Sequence, residues 1–274
     1  MTAEASRLVG VIRVGHGPDT RAHDRAATEE PLEIRLGATP FVVIMRTPGS
    51  DRELAAGFLL SERLVRGPKD IGTIRHCTDG DEAARANVLN VWLAGAAAER
   101  AAGRVAERRL VTANSSCGVC GRRSIADLMD AVPTIDGAWK VSRAVIASLS
   151  ERLRSAQRTF DETGGLHAAG LFDLEGTLLR AAEDVGRHNA VDKVIGGEVL
   201  EGRVPMDERM LFVSGRTSFE IVQKAVVAGI PLVASVSAPS SLAIDVAREA
   251  GVTLVGFVRG DRFNIYTAPD RVQT

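Results

Sequence analysis

Two cysteines, three positions apart, are the residues of this chain best suited to chemistry. Cys117 and Cys120 form a Cys-x-x-Cys motif, and the sequence holds one other cysteine. Residues 113–122 are mostly small, polar or turn-favouring, so we expect both thiols to be exposed rather than packed in a core. Cys-x-x-Cys spacing lowers the pKa of a thiol, and a thiolate attacks, accepts or carries other atoms. Arg122, Arg123 and the start of a following helix would add positive potential beside Cys120. The motif predicts a working thiol.

Three other interpretations of the cysteine pair fit less well. A structural zinc site needs about four ligands, and only Cys77 with the adjacent His76 could complete one. A thioredoxin-like disulfide motif would follow a strand within a βαβ unit, whereas the preceding chain is typical of antiparallel strands. The glycine and serine setting disfavours two unreactive surface thiols.

A zinc deaminase is excluded by the order of its motif residues. That class needs His-x-Glu followed by Pro-Cys-x-x-Cys. His167 supplies the histidine, but Ala169 stands where the general-acid glutamate belongs, and the cysteine pair precedes the histidine. Metal-dependent deamination is therefore not predicted.

Three loops that follow predicted strands suit a phosphorylated ligand. They comprise residues 214–218, 237–241 and 259–262. Ligands of open α/β sheets bind beyond the carboxyl ends of the strands, and free N–H groups at helix starts attract anions. Arg216, Arg259 and Arg262 add charge. Ordinary helix capping explains any single loop, but three together favour phosphate binding. No Walker A or Gly-x-Gly-x-x-Gly loop is present, so neither a nucleoside triphosphate nor an ordinary Rossmann cofactor is predicted.

Residues 183–193 form a second charged run, between a predicted strand and a predicted helix. His188 could act as an acid or base, or as a hydrogen-bonding anchor. In the simpler interpretation Asn189 caps the helix, and two acids pair with two bases. The acids are Glu183 and Asp184, and the bases are Arg187 and Lys193. Both interpretations stay open here.

The composition indicates a globular protein with a substantial core. Of the 274 residues, 45% are hydrophobic, and the net charge is −1. The near-equal numbers of basic and acidic residues, 34 and 35, and the low aromatic content of 4% disfavour nucleic-acid and membrane binding. The chain lacks an apolar run long enough to span a membrane and lacks the apolar core of a signal peptide. With few cysteines, it is expected to be soluble and cytoplasmic.

The pattern of elements predicts a β-rich first part and an α/β second part. Residues 1–30 are expected to be a flexible or weakly docked N-terminal arm, and Ser50 is expected to cap a helix. Predicted strands cover residues 31–36, 41–46, 71–77, 87–93, 104–112, 167–174, 177–183, 210–214, 231–235 and 252–257. Predicted helices cover residues 51–66, 124–132, 142–164, 191–200, 219–228 and 240–250. The predicted fold class is mixed α/β, with helices packed on a parallel or mixed sheet. The predicted divisions are residues 1–30, 31–135 and 136–274.

Several motifs resemble the FdhD/NarQ family of formate dehydrogenase accessory sulfurtransferases. They are Asn-Ser-Ser-Cys-Gly-Val-Cys-Gly-Arg at 114–122, Thr-Gly-Gly-Leu-His at 163–167, the run 183–193, and Ser-Gly-Arg-Thr-Ser-Phe-Glu at 214–220. The similarity extends from about residue 30 to the C-terminus. It implies a cytidine-deaminase-like α/β domain with a smaller β-containing part, usually as a homodimer.

The resemblance also implies a function. Family members receive sulfur from a cysteine desulfurase as a persulfide and pass it to the molybdenum (or tungsten) bis-pterin guanine dinucleotide cofactor of formate dehydrogenase. By motif, Cys117 would carry the persulfide and Cys120 would be its partner, with no metal ion held by the protein itself. The implied cofactor segment comprises Phe257, Val258, Arg259, Gly260, Asp261 and Arg262. The loop residues predicted to join them are Gly215, Arg216 and Thr217. Asp261 is suited to accept hydrogen bonds from a guanine edge.

Two alternatives remain beside the sulfurtransferase. One is a cofactor chaperone whose cysteines serve only for docking, and the other is a thiol-disulfide oxidoreductase. The expected partners are a cysteine desulfurase, the formate dehydrogenase apoenzyme and a second copy of the chain.

Overall fold

The computed structural model describes residues 4–108, 134–135 and 139–273. The chain begins with an antiparallel hairpin of β1 (Ser6–Arg13) and β2 (Thr20–Ala27). No strand was predicted within this N-terminal arm. Most side chains of both strands are exposed, so the apolar alternation that identifies a strand from sequence is weak here. Ser6 Oγ donates a hydrogen bond to Glu162 Oε2 at 3.0 Å and connects the hairpin to the rest of the chain.

A small mixed sheet follows. It comprises β3 (Glu30–Leu36), β4 (Thr39–Arg46), β5 (Ile71–His76) and β6 (Val88–Leu93), in the order β4-β3-β6-β5. β3 and β6 are parallel, and the other two pairs are antiparallel. All four strands confirm the predictions made from sequence.

Three helices accompany this sheet: α1 (Asp51–Ser61), α2 (Glu82–Asn87) and α3 (Ala96–Arg108). α1 is confirmed, but Ser50 lies in the left-handed region at φ 53° and its side chain makes no capping hydrogen bond. The strand predicted over residues 104–112 is wrong as far as residue 108, because α3 continues there. Alanine, arginine and glutamate dominate α3, and they are strong helix formers.

The second half of the chain is built on a six-stranded mixed sheet. Its strands are β8 (His167–Phe172), β9 (Leu178–Asp184), β10 (Met210–Val213), β11 (Leu232–Ser235), β12 (Thr253–Arg259) and β13 (Arg262–Ile265). The order is β13-β12-β11-β10-β8-β9, with β10, β11 and β12 parallel and the others antiparallel. β13 was not predicted. The short β7 (Val141–Ser142) and β14 (Val272–Gln273) form a separate two-stranded parallel sheet.

Five helices belong to this half. They are α4 (Arg143–Arg154), α5 (Arg158–Thr163), α6 (Arg187–Leu200), α7 (Phe219–Ala228) and α8 (Ser241–Glu249). Ser142 caps α4 as predicted, accepting a hydrogen bond from Val145 N. The single helix predicted over residues 142–164 is instead divided into α4 and α5. The helix predicted over residues 124–132 lies outside the described residues.

Alternate residues of the sheet face two separate cores, which places helices on both sides. On one side Ile146 and Leu149 of α4 join Phe172 and Phe212 of the sheet. On the other side α6, α7 and α8 pack against the sheet, together with α1 and the small sheet. α1 and α6 meet closely at Gly57, where any Cβ would overlap the backbone of α6. The predicted mixed α/β class is confirmed. None of the described helices is long and apolar enough to cross a membrane.

Candidate functional site

Several loops meet at the carboxyl edge of the parallel strands. β10 and β8 are antiparallel, so the end of β10 lies beside the beginning of β8. Ser214 N donates to Ala168 O at 2.9 Å, and Ala168 N donates to Ser214 Oγ at 2.8 Å. β9 ends at the same edge, because His167 is paired with Asp184. The edge therefore brings together three of the motifs singled out from sequence.

Gly215 and His167 are in close proximity at this edge. A Cβ on Gly215 would lie 3.2 Å from His167 Nδ1 and 3.7 Å from Arg187 Cδ. Burial lowers the pKa of His167, and the nearby positive charges of Arg187 and Arg216 lower it further, against the opposing effect of Asp184. The lowered pKa favours the neutral form of His167, which can both donate and accept a hydrogen bond.

Asp184 is the centre of a buried network that joins the two sheets. Its carboxylate pairs with Lys193 Nζ at 2.7 Å and accepts hydrogen bonds from Thr47 N, Gly186 N and Asn189 Nδ2. Lys193 Nζ also donates to Thr47 O at 2.9 Å. The network fixes the start of α6 against the chain that leaves β4.

The simpler interpretation of residues 183–193 is correct only in part. Asp184 pairs with Lys193, as that interpretation expected. Glu183 instead accepts hydrogen bonds from Thr159 N and Phe160 N at the start of α5. Asn189 is not the helix cap, because it lies buried inside α6, whose N-cap is Gly186.

His188 has two polar side-chain partners, both near the start of α7. His188 Nδ1 lies 2.9 Å from Glu220 Oε2, and His188 Nε2 lies 3.1 Å from Ser218 Oγ. Of the two roles considered from sequence, the hydrogen-bonding anchor is therefore visible in the structure. The roles of Ser218 and Glu220 as partners of His188 were missed, since both residues resemble ordinary helix-capping groups in the sequence.

The predicted ligand loops are hydrogen-bonded into one layer. Thr217 N donates to Ala238 O at 3.2 Å, and Ser240 N donates to Thr217 O at 3.0 Å. Phe257 N in turn donates to Ser237 O at 3.1 Å. The loop containing Gly215, Arg216 and Thr217 is therefore connected to the segment beginning at Phe257 through the loop between them.

The predicted cofactor segment forms the end of β12, the turn to β13 and its first residue. Phe257 is partly exposed and has a positive φ of 56°. Val258 is fully buried in the core beside α4, and Thr217 is fully buried as well, so neither offers its side chain to a ligand in this conformation. Besides Phe257, four residues of the segment are exposed: Arg259, Gly260, Asp261 and Arg262. Arg216 is also exposed.

Two cavities lie between this edge and α4. One, of about 530 Å³, is lined by residues that include Leu153, Arg154, His167 and Ser214. The other, of about 510 Å³, is lined by residues that include Ser150, Arg154 and Gly260. Both cavities share Ser150 and Arg154, so they follow α4 from His167 towards the β12–β13 turn. Cavities of this size accommodate a small-molecule ligand.

Cys117 and Cys120 lie outside the described residues. Cys77 is partly buried, and its Sγ donates to Asp79 O at 3.3 Å. Among the described residues no group of three or more His, Cys, Asp or Glu side chains could hold a metal ion.

Comparison with known proteins identifies the family. The FdhD/NarQ family model matches residues 27–273. The chain belongs to the FdhD/NarQ family. It is 47% identical over 268 residues to a protein of Nocardia farcinica named sulfur carrier protein FdhD, covering 96% of this chain and 94% of that protein. A protein of Mycolicibacterium paratuberculosis with the same name is 51% identical over 253 residues, covering 89% and 90%.

A solved structure of the family shares the fold. It is a chain from Desulfotalea psychrophila described as a formate dehydrogenase accessory protein. The TM-score is 0.77 at 25% sequence identity, covering 98% of this chain and 100% of that chain. The resemblance noted from the sequence motifs is confirmed, and the similarity extends across both sheets.

Proposed function

We propose that this protein is a sulfur carrier that serves formate dehydrogenase by transferring persulfide sulfur to the molybdenum bis-pterin guanine dinucleotide cofactor. The observation that carries the proposal is membership of the FdhD/NarQ family across residues 27–273, with relatives named sulfur carrier proteins. The Cys-x-x-Cys motif supplies residues of the right chemical type for such a carrier.

The loading step is a thiol exchange with a cysteine desulfurase. The Cys117 thiolate attacks the terminal sulfur of the donor persulfide, a new sulfur–sulfur bond forms on Cys117, and the donor sulfur–sulfur bond breaks to leave the donor thiolate. Release is a second exchange. The Cys120 thiolate attacks the inner sulfur of Cys117, the two cysteines form a disulfide, and the terminal sulfur departs as hydrosulfide for the acceptor. The electron pair that reduces this sulfur comes from the Cys120 thiolate.

The carboxyl edge of the six-stranded sheet supports the cofactor part of the proposal. The acceptor carries phosphates and a guanine ring, which match exposed arginines and an acidic turn. Arg259 and Arg262 flank the turn, and Asp261 within it is exposed and suited to guanine N–H groups. Phe257 offers a partly exposed ring against which a planar group can stack. The cavity lined by Arg154 and Gly260 provides space next to the turn.

Intact-mass measurement after incubation with a cysteine desulfurase and cysteine tests the loading step. Wild type and Cys77→Ala are expected to gain one sulfur that a reductant removes, whereas Cys117→Ala gains none. Cys77→Ala is the matched control, because Cys77 is the one cysteine outside the motif. Equal sulfur gain by Cys117→Ala would contradict the proposed carrier residue.

A cofactor chaperone without sulfur transfer is the second candidate. The carboxyl edge with its exposed arginines favours this candidate, because binding a cofactor there requires no thiol. In that case Cys117→Ala would still activate the dehydrogenase and wild type would gain no sulfur. Binding of guanosine diphosphate, measured by calorimetry on wild type and Asp261→Asn, tests the guanine contact separately. Unchanged affinity in Asp261→Asn would remove Asp261 from the cofactor site.

A further inference from the structure

Two serines occupy equivalent positions in successive strand–loop–helix units but have different partners. Ser240 precedes α8 and caps it, with its Oγ accepting a hydrogen bond from Ala243 N at 3.2 Å. Ser218 precedes α7 in the same way, yet its side chain makes no capping hydrogen bond. Its Oγ lies 3.1 Å from His188 Nε2 instead. Because a serine cap contributes about 1 kcal/mol to a helix, this different orientation requires an explanation.

The side chain of Glu220 also contacts His188 rather than the start of its own helix. It is the second residue of α7, where a carboxylate could interact with free backbone N–H groups. Its Oε2 instead lies 2.9 Å from His188 Nδ1, and its Oε1 is buried without a hydrogen-bond partner in the described part of the chain. The exposed fractions of the His188 and Glu220 side chains are 17% and 13%. Two residues that could stabilise the helix start are both directed to one histidine.

Ser218, His188 and Glu220 are arranged like a nucleophile, a general base and the carboxylate that orients the base. With its proton on Nδ1, His188 donates to Glu220, which orients the ring and leaves Nε2 to accept the proton of Ser218 Oγ–H. Both distances fall within the range required of an activated nucleophile. The same relation of serine, histidine and carboxylate recurs on unrelated folds and is recognised by geometry rather than sequence position.

The start of α7 supplies donors for a developing negative charge. The first intrahelical hydrogen bond runs from Ile221 N to Ser218 O, so the N–H groups of Phe219 and Glu220 precede it. They lie next to Ser218 at the positive end of the helix dipole, which is the type of group that stabilises an oxyanion. Arg216 is exposed two residues before Ser218 and favours a substrate with a negative charge.

We propose that Ser218 is an activated nucleophile that accepts acyl groups from carboxylic esters bearing an anionic group. Ser218 Oγ attacks the ester carbonyl carbon, and its proton passes to His188 Nε2. The carbon–oxygen bond to the alcohol then breaks, and the alcohol leaves with that proton. Water, deprotonated by His188, attacks the acyl carbon, and the acid departs as Ser218 recovers its proton. Glu220 is a positioning residue in this scheme. The activity is independent of the proposed sulfur transfer, since it uses no cysteine.

A fluorophosphonate probe tests the proposal on the full-length protein. Ser218 Oγ forms a bond to phosphorus, and fluoride leaves. After digestion, peptide mass mapping is expected to find the label on Ser218 and not on Ser240. Ser218→Ala should abolish labelling, Ser240→Ala should leave it unchanged, and His188→Gln should slow it roughly 100-fold or more.

The hydrolytic step and the fold are checked separately. Release of p-nitrophenol from an anionic p-nitrophenyl ester should be lost in Ser218→Ala and retained in Ser240→Ala. Urea midpoints of these variants verify that they are folded. Glu220→Gln should reduce labelling while its urea midpoint stays close to that of wild type. The proposal is overturned if folded wild type is not labelled, if Ser240 is labelled as fast as Ser218, or if His188→Gln reacts at the wild-type rate.

Discussion

Replacing Lys193 by methionine tests the contribution of the buried ion pair between β9 and α6, together with the hydrogen bonds that Lys193 donates to Thr47 O and Glu183 O. Methionine keeps an unbranched side chain of similar length and removes the charge. The exposed fractions of the Lys193 and Asp184 side chains are 3% and 0%, so water cannot replace the lost partner. Loss of one member of a buried pair leaves an uncompensated charge, at a cost of about 3–5 kcal/mol.

The structure places the expected cost at the lower end of this range. Asp184 keeps three hydrogen-bond donors after the substitution, namely Thr47 N, Gly186 N and Asn189 Nδ2. We therefore expect Lys193→Met to lower the free energy of unfolding by about 3 kcal/mol, roughly a 150-fold change in the equilibrium constant. For a urea m-value of about 3 kcal/mol/M, the midpoint should fall by about 1 M.

A double-mutant cycle provides the decisive comparison. Urea unfolding is followed for wild type, Lys193→Met, Asp184→Asn and the double variant at neutral pH. With Asp184 replaced by the neutral asparagine, Lys193→Met should cost less, because no carboxylate is left unpaired. A cost below about 1 kcal/mol in the Asp184 background, or the same cost in both backgrounds, would refute the argument from burial.

Three further variants test other parts of the structure. Ser142→Ala should lower the free energy of unfolding by about 1 kcal/mol, measured in urea, because it removes the cap that accepts from Val145 N. His167→Gln tests how the free energy of unfolding depends on pH. The pKa of His167 is lowered in the folded protein by burial and nearby cations, so as the pH falls the unfolded chain takes up a proton before the folded protein does. Wild type should therefore lose stability as pH falls below 6.5, the ordinary histidine value, and the variant should lose less over the same range. Lys224→Met removes the partner of Asp192, whose pKa is raised by burial. Urea curves should therefore show a destabilisation that becomes smaller as the pH is lowered from 7, because protonation relieves the unpaired carboxylate.

The second half of the fold could be predicted because its sequence signals are strong. Buried strands such as Met210–Val213 are continuous apolar runs, and the helix Phe219–Ala228 ends at a glycine in the left-handed region. The first half was less predictable where packing contributes little. The hairpin of β1 and β2 has few buried side chains, and the alanine-rich helix α3 was mistaken in part for a strand.

The location of the candidate ligand edge followed from the order of strands and helices, but the partners of its polar residues did not. His188 and Ser218 are 30 positions apart, and only the packing of α6 beside α7 brings them within 3.1 Å. Likewise, Glu183 caps α5 rather than pairing with a neighbouring base. Charged residues close together in sequence suggested local pairs, whereas burial at this edge favours partners from other elements that satisfy each group fully.

The hydrogen bonds between the loops determine how the predicted cofactor residues can act. Thr217 and Phe257 come from units separated by a complete strand and helix, yet each is bonded to the loop of residues 237–240. Gly256 has no space for a side chain, because a Cβ there would lie 3.1 Å from Ser237 O and from Pro239 Cδ. The loops therefore support one another through the backbone, which leaves the side chains of Arg216, Arg259 and Arg262 exposed. A rigid layer of backbone with exposed cations on it suits phosphate recognition, since little conformational entropy of the main chain is lost on binding.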